Sequence, residues 1–249
     1  MDIIDFHTHT FPDDLAARAI ASLMTNSPES RNHTDGTISG LLKSMENSGI
    51  KHSVVLPVAT KPSQVPVINQ NSLRLKCKQI TAFGALHPQT PNVEQEIAFL
   101  KENNIPVIIA NPLSLPLYEH SDVRMPFKLA AIFKKEGILT GLTYSSQAYA
   151  NLPFAAGQTV AYGLTKEEAL QTVTLNNAKI LAIDDVTGSL EPGKDANIIV
   201  STGDLLDMKT NNVELAFITG RNISLDNKHK QLTRRFQAKY DDINSNGEK

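Results

Sequence analysis

The sequence predicts an α/β chain, parallel strands linked by helices with a small antiparallel appendage, on three observations. Short apolar, β-branched runs alternate with one-face helical patterns from Ile3 to Thr143, which is the signature of β/α units. Hydrophobic residues make up 41% and charged residues 20% of the 249 positions, an ordinary balance for a chain that buries one substantial core. From Gly188 the texture changes to a turn-rich stretch, Gly188-Ser189-Leu190-Glu191-Pro192-Gly193-Lys194, followed by apolar runs outside the alternating body.

Taken in order, Ile3 to Phe6 is a short apolar run before His7-Thr8-His9, and reads as a buried strand ending in polar side chains. A helix is expected from Asp13 to Met24. Thr37 to Glu46 places Ile38, Leu41, Leu42 and Met45 on one helical face, with Gly49 where a helix would stop. Strands are then expected at Ser53 to Pro57, Ile80 to Ala85, Pro106 to Ala110 and Ile138 to Thr143, with helices at Val67 to Leu75, Val93 to Leu100 and Met125 to Lys135 between them. Beyond Pro153 the chain reads as helical over Phe154 to Tyr162, and Thr165 with Glu168 three residues on forms a capping box for the next helix. A short helix over Asn177 to Leu181 and strands at Ala196 to Ser201 and Glu214 to Thr219 follow. The segment from Asp226 reads as a polar tail, frayed after Tyr240.

The formal charge of -2 supplies no basic field, so neither nucleic acid nor an anionic membrane surface is an expected partner, and a small-molecule substrate is. Cys77 is the only cysteine, which excludes an internal disulfide framework and any thiolate cluster within one chain; a metal would have to sit on histidine and carboxylate. The first residues lack the basic and apolar regions of a signal peptide, and no apolar run approaches a membrane span, so a cytoplasmic location is expected.

The candidate chemistry starts at His7 and His9. One residue apart on a strand, their side chains point to the same side and can grip one cation together. A chance H-x-H is the competing reading. His87, at a strand end, is a possible additional ligand or substrate contact, or simply a structural histidine. Tyr118-Glu119-His120-Ser121-Asp122 reads as a solvated loop, His33 and His52 as surface or helix-packing residues, and Asp184, Asp185, Lys194 and Asp195 as turn residues.

Ile3-Ile4-Asp5-Phe6-His7-Thr8-His9-Thr10-Phe11-Pro12 and Gly84-Ala85-Leu86-His87-Pro88 resemble amidohydrolases of the amidohydrolase-2 type. Three later segments resemble the imidazolonepropionase-like branch: Gly163 to Leu170, Thr174-Leu175-Asn176-Asn177-Ala178-Lys179-Ile180-Leu181, and Gly188 to Asn197. The resemblance implies a (β/α)8 barrel holding one or two divalent metal ions and hydrolysis of amide, lactam or ester bonds by metal-activated water; zinc is the expected metal. It also implies mid-barrel histidines, a bridging lysine or glutamate and a shuttle aspartate after the last strand. None of these is found: about five strands are legible, and Gly141-Leu142-Thr143-Tyr144-Ser145-Ser146 has Ser145 nearest the aspartate's place.

The expected fold is therefore α/β, incomplete TIM-barrel-like β/α units with a small C-terminal β-sandwich remnant. The expected division is a partial barrel over 1–187 with a family junction near 104–105, return strands over 188–225 and a polar tail over 226–249. The expected function is metal-dependent hydrolysis of a non-peptide C–N bond. The alternatives are a catalytically inactive scaffold that forms a homo-oligomer through open sheet edges, and a fusion of fragments from two branches.

Overall fold

A computed structural model describes residues 3–26, 29, 31–75, 77–87, 90–110, 119, 122–144 and 146–246. β1 (Ile3–Thr8), β2 (Ile50–Val55) and β3 (Ile80–Ala82) form one parallel ladder, and β4 (Val107–Ala110) and β5 (Thr140–Thr143) form a second. Helices α1 (Asp13–Asn26), α2 (Ile38–Ser48), α3 (Val65–Leu75), α4 (Val93–Glu102) and α5 (Met125–Lys135) connect them in the expected alternation. No closed barrel exists among the described residues.

Local chemistry sets the helix ends. Thr37 caps α2 by accepting from the Gly40 amide at 3.0 Å, and Gly49 ends it in the left-handed region at φ 68°, which a glycine adopts without a Cβ penalty. The Thr165 capping box is formed as expected at the start of α7 (Lys166–Thr172): Glu168 N donates to Thr165 Oγ1 at 3.3 Å and Thr165 N to the Glu168 carboxylate at 2.8 Å. The same carboxylate forms an ion pair with Lys134 at the end of α5. Thr165→Ala should lower unfolding free energy by about 1 kcal/mol, read by urea denaturation.

The larger core lies outside β4 and β5, where Leu100, Ile105, Ile109, Phe133, Ile138 and Leu142 pack with Ala156 of α6 (Leu152–Val160), Ala169 of α7 and Leu206. A second cluster joins Leu41 and Met45 of α2 to Val55, Ile80 and Ala82. Residues alternate along a strand, so Val54 and Phe83 face the opposite side from Val55 and Ala82. There they pack with Ile180 of α8 (Leu175–Ile180) and with Leu56, Ile108, Leu139 and Leu181. In a closed barrel the inner face is filled by side chains of the strands themselves; here a helix from late in the chain supplies part of that filling.

α8 also treats the edge of β5. Val107 N donates to the Leu139 carbonyl at 3.0 Å, so Leu139, Gly141 and Thr143 turn their backbone groups toward β4, while Thr140 and Leu142 face away. Those two carbonyls accept from Asn176 Nδ2 at 2.9 Å and Asn177 Nδ2 at 3.1 Å. The Asn177 amide fits because residue 141 is glycine: any Cβ there would collide with it. The outer carbonyls of β5 are thus satisfied within the chain, which weakens the expectation that this edge recruits a second copy.

Two expectations for the C-terminal part are corrected. In place of a sandwich, β6 (Ile198–Ser201), β7 (Val213–Ile218) and β8 (Arg221–Asn222) form one antiparallel sheet. The polar tail is not frayed after Tyr240 but carries α9 (Lys228–Asn246), whose N-terminal end is held by Arg234 and Gln231 on the Asp226 carboxylate at 2.8 and 3.0 Å. Its solvated composition satisfies a helix through local pairs alone, without a packed face. None of the described helices is long and apolar enough to cross a membrane.

Candidate metal centre

His7 and His9 sit at and just beyond the carboxyl end of β1, on either side of Thr8. Thr8 is buried and locked to β2 twice, its hydroxyl donating to the Val54 carbonyl at 2.8 Å and its carbonyl accepting from Leu56 N at 2.9 Å. The two imidazoles, exposed at the strand end, meet edge to face with centroids 4.9 Å apart and Nε2 atoms 3.0 Å apart. His9 Nδ1 lies 2.6 Å from the Leu56 carbonyl. A carbonyl only accepts, so this contact assigns the proton to Nδ1 and leaves Nε2 of a neutral His9 with a free lone pair.

That arrangement fits a shared cation. Zinc–nitrogen bonds of about 2.0–2.1 Å in tetrahedral geometry separate two ligand nitrogens by about 3.3 Å, close to the separation observed. A backbone carbonyl on the far ring nitrogen is also the usual partner of a metal-bound histidine. Without a cation, the same geometry is an Nε2–H···Nε2 hydrogen bond between the rings.

The other expected residues are not gathered here. His87 is half-buried in a turn, its amide donating to Thr90 Oγ1 at 3.3 Å and its carbonyl accepting from Thr90 N at 2.9 Å. Among the described residues, no three of His, Cys, Asp and Glu come together in a metal-holding group, so His87 does not complete the set. His120 and Ser145 lie outside the described residues. Asp122 is a structural anion beside α5: Lys128 at 2.5 Å and the Arg124 amide at 2.9 Å hold its carboxyl below the usual range. Lys194 bonds Ser189 and Glu191 inside its turn, at 2.6 and 3.2 Å, as expected of a turn residue.

Two arrangements escaped the sequence reading. Asn69 is fully buried in α3; its amide donates to Glu96 of α4 at 2.7 Å and its carbonyl oxygen accepts from Ala85 N at 2.8 Å, fixing the segment that leads to His87. His52, expected at the surface or against a helix, instead reaches across the ladder, with Nε2 2.8 Å from Thr81 Oγ1 of β3. A single asparagine in a helical pattern carries no sequence signal of this kind. The period-2 placement of His52 beside Val54 could have suggested the second.

Comparison with known proteins agrees with this architecture. Residues 124–223 match the model of the amidohydrolase family. An imidazolonepropionase from Picrophilus torridus is 38% identical over 71 residues, 28% of this chain and 18% of that protein. An amidohydrolase from Thermotoga maritima superposes with a TM-score of 0.55 at 21% identity, covering 83% of this chain and 51% of the other. A zinc-bound adenosine deaminase from Xanthomonas campestris superposes with a TM-score of 0.50 at 16% identity, covering 82% and 53%. The chain therefore spans about half the length of these solved structures and under a fifth of the curated relative. Over residues 124–223 the sequence is similar to the amidohydrolase family, and the fold is similar to that of the superposed amidohydrolase.

Proposed function

We propose that the chain is a metal-dependent hydrolase acting on an amide or cyclic-amide C–N bond of a small molecule, with His7 and His9 as the protein ligands of a divalent zinc ion. The observation that carries this reading is the convergence of the two Nε2 atoms at 3.0 Å with the His9 tautomer set by Leu56. A bound divalent ion supplies Lewis-acid polarisation of a carbonyl and a lowered water pKa. The chain's own part is orientation: Thr8 fixes the backbone between the ligands, Leu56 fixes the proton and plane of the His9 ring, and His7 follows from the strand alternation. Two histidines leave the remaining coordination positions to water and substrate. The division into a partial barrel over 1–187, joined near 104–105 and followed by return strands over 188–225, belongs to the same proposal.

The test is hydrolysis of a panel of amides and lactams by the zinc-loaded protein and by His7→Ala and His9→Ala variants. Metal-dependent turnover that falls about 10–100-fold or more in each variant is expected. Turnover unchanged in both would refute the assignment.

A second reading, a non-catalytic scaffold that self-associates, is favoured by α9. Leu232, Phe236 and Tyr240 recur every four residues along one stripe of this helix, and Phe236 and Tyr240 are about half exposed. An antiparallel pair of α9 helices about Phe236 would bring Leu232 of one copy against Tyr240 of the other. Light scattering of wild type and Phe236→Asp distinguishes the readings: a dimer lost in the variant, without turnover in either protein, would favour the scaffold.

A further inference from the structure

The described chain contains a cavity that the histidine pair does not use. It opens at the amino ends of the parallel strands, opposite the carboxyl end where His7 and His9 lie, in the gap where β3 and β4 share no ladder. Its volume is about 480 Å³, within the range of pockets that enclose small organic ligands. The wall is apolar, with Ile80, Leu100, Ile105, Ile138 and Ile180 at its centre, all nearly or fully buried. The His52–Thr81 pair lies on one side, and Lys78, Lys101 and Lys179 stand around it. Lys101 shares its charge with Glu136 at 3.6 Å, but no aspartate or glutamate is among the described lining residues.

We propose that this cavity binds a small organic anion with an apolar body, a carboxylate or sulfonate, its head group held at the lysines and its body against the isoleucine wall. The charge argues for the anion: Lys78 and Lys179, with Lys101 shared with Glu136, line the cavity and no carboxylate among the described residues does, which favours a negative head group over a cation. The wall argues for the apolar body, since burying it there removes hydrocarbon surface from water on both partners. Thr81 and His52 are already paired, so the polar side needs no further partner to stay satisfied. The site is separate from the proposed hydrolytic centre and does not depend on it.

The sole cysteine makes the site addressable, because Cys77 is an exposed thiol on the cavity wall. The probes are anilinonaphthalenesulfonate and its uncharged relative N-phenyl-1-naphthylamine. The sulfonate should bind saturably, more tightly than the neutral probe, and should slow modification of Cys77 by N-ethylmaleimide. A Lys78→Glu/Lys179→Glu variant with unchanged circular dichroism should bind the sulfonate about tenfold more weakly. Binding without protection of Cys77 would place the ligand elsewhere, equal affinity for the two probes would remove the anion from the argument, and absence of binding would overturn the proposal outright. The wild-type comparison and the Cys77 rate decide the matter even where the charge-reversed variant fails to fold.

Discussion

Ile180→Ala should lower the unfolding free energy by about 3 kcal/mol, measured by urea denaturation at neutral pH. Ile180 is 3% exposed and packs with Val54 and Phe83 on the face of the first ladder opposite α2. Few other groups stand ready to fill the space it would leave, because that face is otherwise covered by the half-buried Leu56, Ile108, Leu139 and Leu181. A truncation at an exposed apolar position such as Val67, 62% exposed on α3, should by comparison cost less than about 0.5 kcal/mol. Equal costs at the two positions would mean that α8 does not cover the inner face as described.

Asn69→Leu should cost a similar amount, about 3 kcal/mol, although it preserves side-chain volume. The leucine would leave Ala85 N–H without its acceptor and the Glu96 carboxylate without its donor, in a place where Asn69 itself is wholly buried. Amide hydrogen exchange gives the local readout. The Ala85 amide should exchange markedly faster in the variant, whereas amides in β5, held in the other ladder, should change only with global stability. Full retention of stability would mean that water or a neighbour replaces both bonds.

Much of the architecture was legible because each signal is local. The five parallel strands follow from apolar runs of strand length bounded by turn residues, and the α7 start follows from Thr165 and Glu168 alone. The two-histidine grip was legible for the same reason: an i, i+2 pair on a strand shares a side whatever the rest of the chain does. What the sequence could not give is the nonlocal part. That α8 folds against Val54 and Phe83 depends on which surfaces remain uncovered when the ladders do not close, and no periodicity in residues 175–180 records it. The polar composition beyond Tyr240 suggests fraying, yet the helix continues to Asn246, because Asp226, Gln231 and Arg234 supply a helix start that needs no core. His87 carries a motif signal, but among the described residues it joins no group of three metal-holding side chains.

The two-histidine site stands or falls on a stoichiometry. Elemental analysis of the purified protein after brief dialysis without chelator, beside a His7→Ala/His9→Ala double variant of unchanged circular dichroism, should find close to one divalent ion per wild-type chain and none in the variant. A folded wild-type protein that holds no metal, or a variant that keeps it, would contradict the assignment of His7 and His9 as ligands and leave their 3.0 Å contact as a hydrogen bond between two rings.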